Sequence, residues 1–140
     1  MPTLNLKTKM TLTQEQKDFP VNLLLNSAVP TFVLDTQHQL ITWNKACEAL
    51  TGVKAAEILG SANHCKAHCK AFYRKERHVL ADFIIDGNIE DLPQYYDSFN
   101  KSPFTPEGLQ AEVWCFTAND KERFVSLATF PGGSLYLCNR

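Results

Sequence analysis

The densest run of chemistry-bearing side chains is His64-Cys65-Lys66-Ala67-His68-Cys69. On a helix His64/His68 and Cys65/Cys69 are i, i+4 pairs and Cys65/His68 is an i, i+3 pair, and any such pair can grip a borderline divalent ion. Adjacent helical positions lie about 100° apart, so the four cannot all face one ion. A closed zinc site would need His78 or Cys47 in addition, and the order is not the C-x-x-C-H of covalent haem. The expected state is partly buried thiols and solvated imidazoles, with no metal centre. Catalytic patterns are missing too: there is no G-x-S-x-G, no phosphate loop and no H-E-x-x-H. Asp82 and Asp86 stand one helical turn apart, a spacing usual for a solvated face. The chain is expected not to be an enzyme.

Length and composition bound what can position these groups. A chain of 140 residues is one domain with enough length for a real core. An apolar fraction of 44% with 21% charged residues is ordinary for a globular fold. The net charge of −1 and the absence of a basic run argue against nucleic acid as a direct partner. No apolar stretch is long enough for a membrane span, and MPTLNLKTKM lacks the apolar core of a secretory signal. Five cysteines, an odd number, point to reduced thiols and a cytoplasmic setting. Whether any of them is redox-active depends on exposure and thiol pKa.

The elements read in order as follows. Residues 1–12 form a lead-in, and Thr13-Gln14-Glu15-Gln16 fits a capping box. Pro20 predicts a short or bent helix and a second helical segment over Val21 to Ser27, rich in Leu23, Leu24 and Leu25. Thr31 to Leu34 and Leu40 to Trp43 read as strands joined by a tight reversal at Asp35. Asn44 then caps a short helix, with Ala46, Cys47, Ala49 and Leu50 as its apolar stripe and Gly52 at its end. Ala55 to Leu59 is one more helical turn, and Gly60 to Asn63 breaks it. Leu80, Ala81, Ile84 and Ile85 share one face of a helix closed by Gly87. Ile89 to Phe99 predicts a further helix entered at Asp91 or Leu92, with Pro93 in its first turn. Three strands close the chain: Leu109 to Thr117, Arg123 to Phe130 and Ser134 to Cys138.

Two strands followed by a helix with Asn44, Ala46, Thr51 and Gly52 in place resembles the opening of a PAS sensor domain, with its "N-x-A-x-x-x-x-T-G" helix. Glu57-Ile58-Leu59-Gly60 resembles the "E-x-x-G" that follows there. Ala71-Phe72-Tyr73, Arg77 and Leu80-Ala81-Asp82 resemble the "W-x-A-F-Y…R-P-x-L-A-D" signature. That signature marks a bacterial subclass of PAS domains found ahead of GGDEF diguanylate cyclase or histidine kinase modules. Cys69 stands where that family usually has Trp, and His78 where it usually has Pro. The resemblance runs from about Leu23 onward.

It implies an α+β fold: a five-stranded antiparallel sheet with helices on one face and an N-terminal helix. The domains would be a lead-in over 1–12, an N-terminal helical cap over 13–28 and the PAS-like sensory domain over 29–140. A small-molecule ligand would lie between helices and sheet, with Phe72, Tyr73, Arg77, His78, Leu80, Phe83 and Trp114 as pocket candidates. Leu23, Leu24 and Leu25 are candidates for a homodimer contact, and the GGDEF or histidine kinase effector would lie outside this chain. Flavin is not expected, because a residue separates Asn63 from Cys65 and the rest of the flavin motif does not follow. Haem is not expected either, His78 being its one suitable axial ligand. The rival expectation is a PAS-fold module that binds no ligand and only dimerises.

Overall fold

A computed structural model describes residues 13–59, 64–131 and 133–138, the side chains of 64–67 and 133–138 excepted. The lead-in over 1–12 and the break over 60–63 lie outside the described residues. Helix α1, Gln14–Asn26, begins on the capping box. Thr13 Oγ1 accepts from the Gln16 N–H at 3.1 Å, and Gln16 Oε1 accepts from the Thr13 N–H at 2.9 Å. Contrary to the expected interruption, α1 runs through Pro20 as one helix. The proline removes one backbone bond, and because no residue of α1 is buried, water can serve the carbonyl left over.

Strands β1 (Thr31–Leu34) and β2 (Leu40–Trp43) pair antiparallel, with Phe32 opposite Trp43. Asp35 makes the reversal between them, its carboxylate accepting from the Gln37 and Gln39 N–H groups at 2.8 and 2.9 Å. Helix α2 (Lys45–Thr51) starts at the Asn44 cap and stops at Gly52, whose φ of 78° is the left-handed conformation glycine adopts freely. Its buried side chains are Cys47 and Thr51, while Ala49, assigned to the apolar stripe, is exposed. Helices α3 (Ala55–Leu59), α4 (His64–Tyr73) and α5 (Leu80–Asp86) follow, α5 ending on left-handed Gly87.

The segment after α5 departs from expectation. Only Ile89–Gln94 is helical, as a 3-10 turn that contains Pro93 beyond its start. Ser98–Lys101 is strand β3, paired residue for residue with the start of β4 (Leu109–Phe116). The sheet continues through β5 (Glu122–Phe130) and β6 (Gly133–Cys138), and β6 returns to pair with β1. Among the described residues the fold is α+β with one antiparallel sheet in the order β2-β1-β6-β5-β4-β3. It has six strands where five were expected, the extra one being the edge strand β3.

The core follows from strand alternation. Leu109, Ala111 and Cys115 of β4 and Val125, Leu127 and Thr129 of β5 point inward, under Phe72 of α4 and Leu80 and Phe83 of α5. Phe32, Trp43 and Phe72 meet at centroid distances of 5.6–5.9 Å, and the Trp43 indole N–H donates to the Val53 carbonyl at 2.9 Å. No described helix is long and apolar enough to cross a membrane.

Candidate functional site

Asp82, in the first turn of α5, is buried with its side chain only 4% exposed. A carboxylate there is tolerable only if it is fully hydrogen-bonded or charge-paired. Its Oδ2 accepts the Val79 N–H at 2.8 Å, satisfying a backbone donor that the start of α5 leaves open. Its Oδ1 lies 2.7 Å from His38 Nδ1. His38 belongs to the β1–β2 reversal, held at φ 64° by the turn that Asp35 builds. The other ring nitrogen of His38, Nε2, is 2.8 Å from Asp86 Oδ1. One imidazole therefore bridges two carboxylates that sit one turn apart on α5.

Two more histidines approach the same carboxylate. His68 of α4 is fully buried, its Nε2 3.7 Å from Asp82 Oδ2 and its ring 5.8 Å from that of Phe32. At 3.7 Å the pair is at ion-pair rather than hydrogen-bond distance, and neither ring nitrogen of His68 has a hydrogen-bond partner. His78 Nδ1 lies 4.0 Å from Asp82 Oδ2, and its ring stands edge-on to Phe83 and Tyr95. Burial opposes ionisation of Asp82, but the neighbouring His68 and His38 rings, with the Val79 N–H, outweigh it and hold the carboxyl below the ordinary 3.8. Burial likewise opposes charging of His38, yet its bonds to Asp82 and Asp86 prevail and raise it above 6.5.

A cleft of about 410 Å³ opens beside this network, lined by His38, Glu76, Arg77, His78, Asp82, Asp86 and Tyr95. The volume is within the range of small-molecule sites, about 300–1,000 Å³. Arg77 is held rather than free to swing. Its guanidinium carbon lies 4.0 Å from the Tyr73 ring centre, 5.0 Å from Tyr96 and 5.3 Å from Tyr95, and it donates to the His78 and Tyr95 carbonyls at 3.2 Å. Tyr73 and Tyr96 meet hydroxyl to hydroxyl at 3.3 Å, and burial pushes the Tyr96 phenol well above its ordinary value.

Of the pocket candidates, the structure brings Arg77 and His78 to the cleft and puts Tyr73 behind Arg77. Phe72, Leu80 and Phe83 are core side chains, at most 1% exposed, where a ligand pocket was expected. Trp114 is not with them at all. Alternation along β4 turns it to the opposite face of the sheet from Cys115, 60% exposed and 5.4 Å from the Phe124 ring. In the His64–Cys69 run, His68 and Cys69 are both buried, against the expectation of solvated imidazoles, and the side chains of His64 and Cys65 lie outside the described residues. Among the described residues no three His, Cys, Asp or Glu side chains are grouped to hold a metal. Of the dimer candidates, Leu23 is 61% exposed and Leu24 and Leu25 are half-buried.

Sequence reasoning missed His38 and placed Asp82 on a solvated face. The i, i+4 spacing of Asp82 and Asp86 was visible, but nothing local ties it to a turn 44 residues earlier. No family model matches the chain, and no curated protein does either.

Proposed function

We propose that the chain is a PAS-like sensory domain of a bacterial signalling protein: cytoplasmic, non-catalytic and responsive to a small molecule. A homodimer would carry the response to an effector such as a diguanylate cyclase or histidine kinase. The observation that supports this reading best is the convergence of the signature positions. Arg77 and Asp82 both line one cleft at the border of helices and hairpin, and Tyr73 backs the Arg77 guanidinium. The order of two strands, helices across one face and three returning strands agrees with it, β3 being an addition at the edge.

The lining favours a small polar or ionic ligand over an apolar one, because it mixes Arg77 and His78 with Glu76 and Asp86. Ligand binding there would bias α5 and the hairpin, and population shift would pass the change on. Helix α1 is the natural relay. Its Phe19, Val21 and Leu23 stand exposed, while its C-terminal turn is tied to α2 through Asn44 and Lys45. The filled core around Phe72, Leu80 and Phe83 favours the second reading, a ligand-free dimerisation module.

Native mass spectrometry of the purified protein, with an absorption spectrum and metal analysis on the same sample, separates the two. A co-purifying small molecule, displaced in an Arg77→Ala variant, supports sensing. An empty homodimer that Leu23→Glu converts to a folded monomer supports the dimerisation module. An empty monomer removes both.

A further inference from the structure

The geometry points to a proton-operated clasp: the His38 imidazolium fastens the β1–β2 turn to both ends of α5, and its deprotonation frees the Asp86 end and widens the mouth of the cleft. This does not depend on the sensory reading, since it follows from the donor count of one ring. Both nitrogens of His38 face carboxylate oxygens, Nδ1 at 2.7 Å and Nε2 at 2.8 Å. Carboxylates only accept, so both contacts are hydrogen bonds only when both nitrogens carry protons. A neutral imidazole keeps one N–H and must turn a lone pair toward the other carboxylate.

Which contact is lost is set by the partners. Asp82 is buried, held by the Val79 N–H and attended by His68 and His78. Asp86 is 40% exposed on its side chain and has no other described bond, so water can replace His38 there. Neutral His38 therefore keeps Nδ1–H on Asp82 and releases Asp86. The surrounding charges pull in both directions. From α5 the ring faces Asp82 and Asp86. Across the cleft stand Glu76, Arg77 and His78, with Tyr95. From α4, His68 competes for Asp82, and within its own turn Asp35 is committed to the backbone. The two bonded carboxylates are the nearest of these, and they favour the charged ring.

The test is an NMR titration of the histidine ring signals and backbone amides, from about pH 5 to about pH 9. The expected result is a His38 midpoint above 6.5, each unit of displacement being a tenfold preference for the imidazolium in the folded state. The Asp86 and Gly87 amides should move with that same midpoint. Asp86→Asn should lower the midpoint. His38→Asn, which tolerates the left-handed turn conformation, should abolish the shared transition at residues 86–87 while leaving the remaining spectrum folded. A His38 midpoint at or below 6.5, or an 86–87 transition that survives His38→Asn, overturns the clasp.

Discussion

Replacing Asn44 by alanine should cost far more than a helix cap. Asn44 is fully buried and its side chain makes four hydrogen bonds. Its Oδ1 accepts from the Thr31 and Cys47 N–H groups at 3.0 Å, and its Nδ2 donates to the Leu24 and Val29 carbonyls at 2.9 Å. The Cys47 bond alone is an N-cap, worth about 1 kcal/mol. The other three reach β1 at Thr31, the end of α1 at Leu24 and Val29 between them, and each buried group left unpaired adds about 1 kcal/mol or more. The total for Asn44→Ala is about 3–5 kcal/mol, a large share of the roughly 5–15 kcal/mol that holds a domain together. With a urea dependence of about 1–3 kcal/mol per molar, the unfolding midpoint followed by circular dichroism should fall by about 2 M. Asn44→Asp sharpens the case: it keeps the acceptor but turns a buried negative charge toward two carbonyls, so it should be no more stable than the alanine variant. A loss below about 1 kcal/mol for Asn44→Ala would reduce the residue to a cap and remove the attachment of α1 from the account.

Three further outcomes follow from the same geometry. Stability should be highest between the two perturbed groups. The His38 contribution is full below 6.5 and fades as pH rises through its raised folded value, while that of Asp82 is present above 3.8 and fades as pH falls through its lowered one. Urea midpoints across pH should therefore decline on the alkaline side, and an unchanged alkaline decline in His38→Asn would refute the assignment. Burial pushes the Cys47 thiol up to about 12 and raises Cys69, and Cys115 is buried too, so iodoacetamide with peptide mapping should label these three only on unfolding. Trp43→Ala should cost about 3–5 kcal/mol and Trp114→Ala less than about 1 kcal/mol, because one indole is core and the other lies on the open sheet face; equal losses in urea titrations would contradict that placement.

What could be read from the sequence was local. The Thr13 capping box, the Asp35 reversal, the Asn44 cap and the glycine stops at Gly52 and Gly87 each depend on residues within a few positions. What could not be read depended on distant partners. Tyr95, Tyr96 and Phe99 match helical spacing, yet Ser98–Lys101 gains its extended form from pairing with β4, which no short window contains. Trp114 was legible as an outward position from the alternation of β4, and the expected pocket contradicted that pattern. Arg77 was legible as a signature position, whereas its three-tyrosine surround needed the chain between Tyr73 and Tyr96 to fold back.

Asp82 shows why the site is a different kind of object from the core around it. An apolar side chain at this position would pack in the same space without a desolvation penalty, and replacing a buried ion pair in that way is often neutral or stabilising. The carboxylate instead makes three separate elements interdependent: the α5 start through Val79, the hairpin turn through His38 and α4 through His68. Removing one partner leaves the others facing a buried charge, so a change at one of the three elements is felt at the other two. Its contribution is measured against the loss of a partner, which is costly, rather than against an apolar replacement, which often is not. His38 is a partly exposed member of that arrangement, and its bonds to Asp82 and Asp86 favour the charged ring.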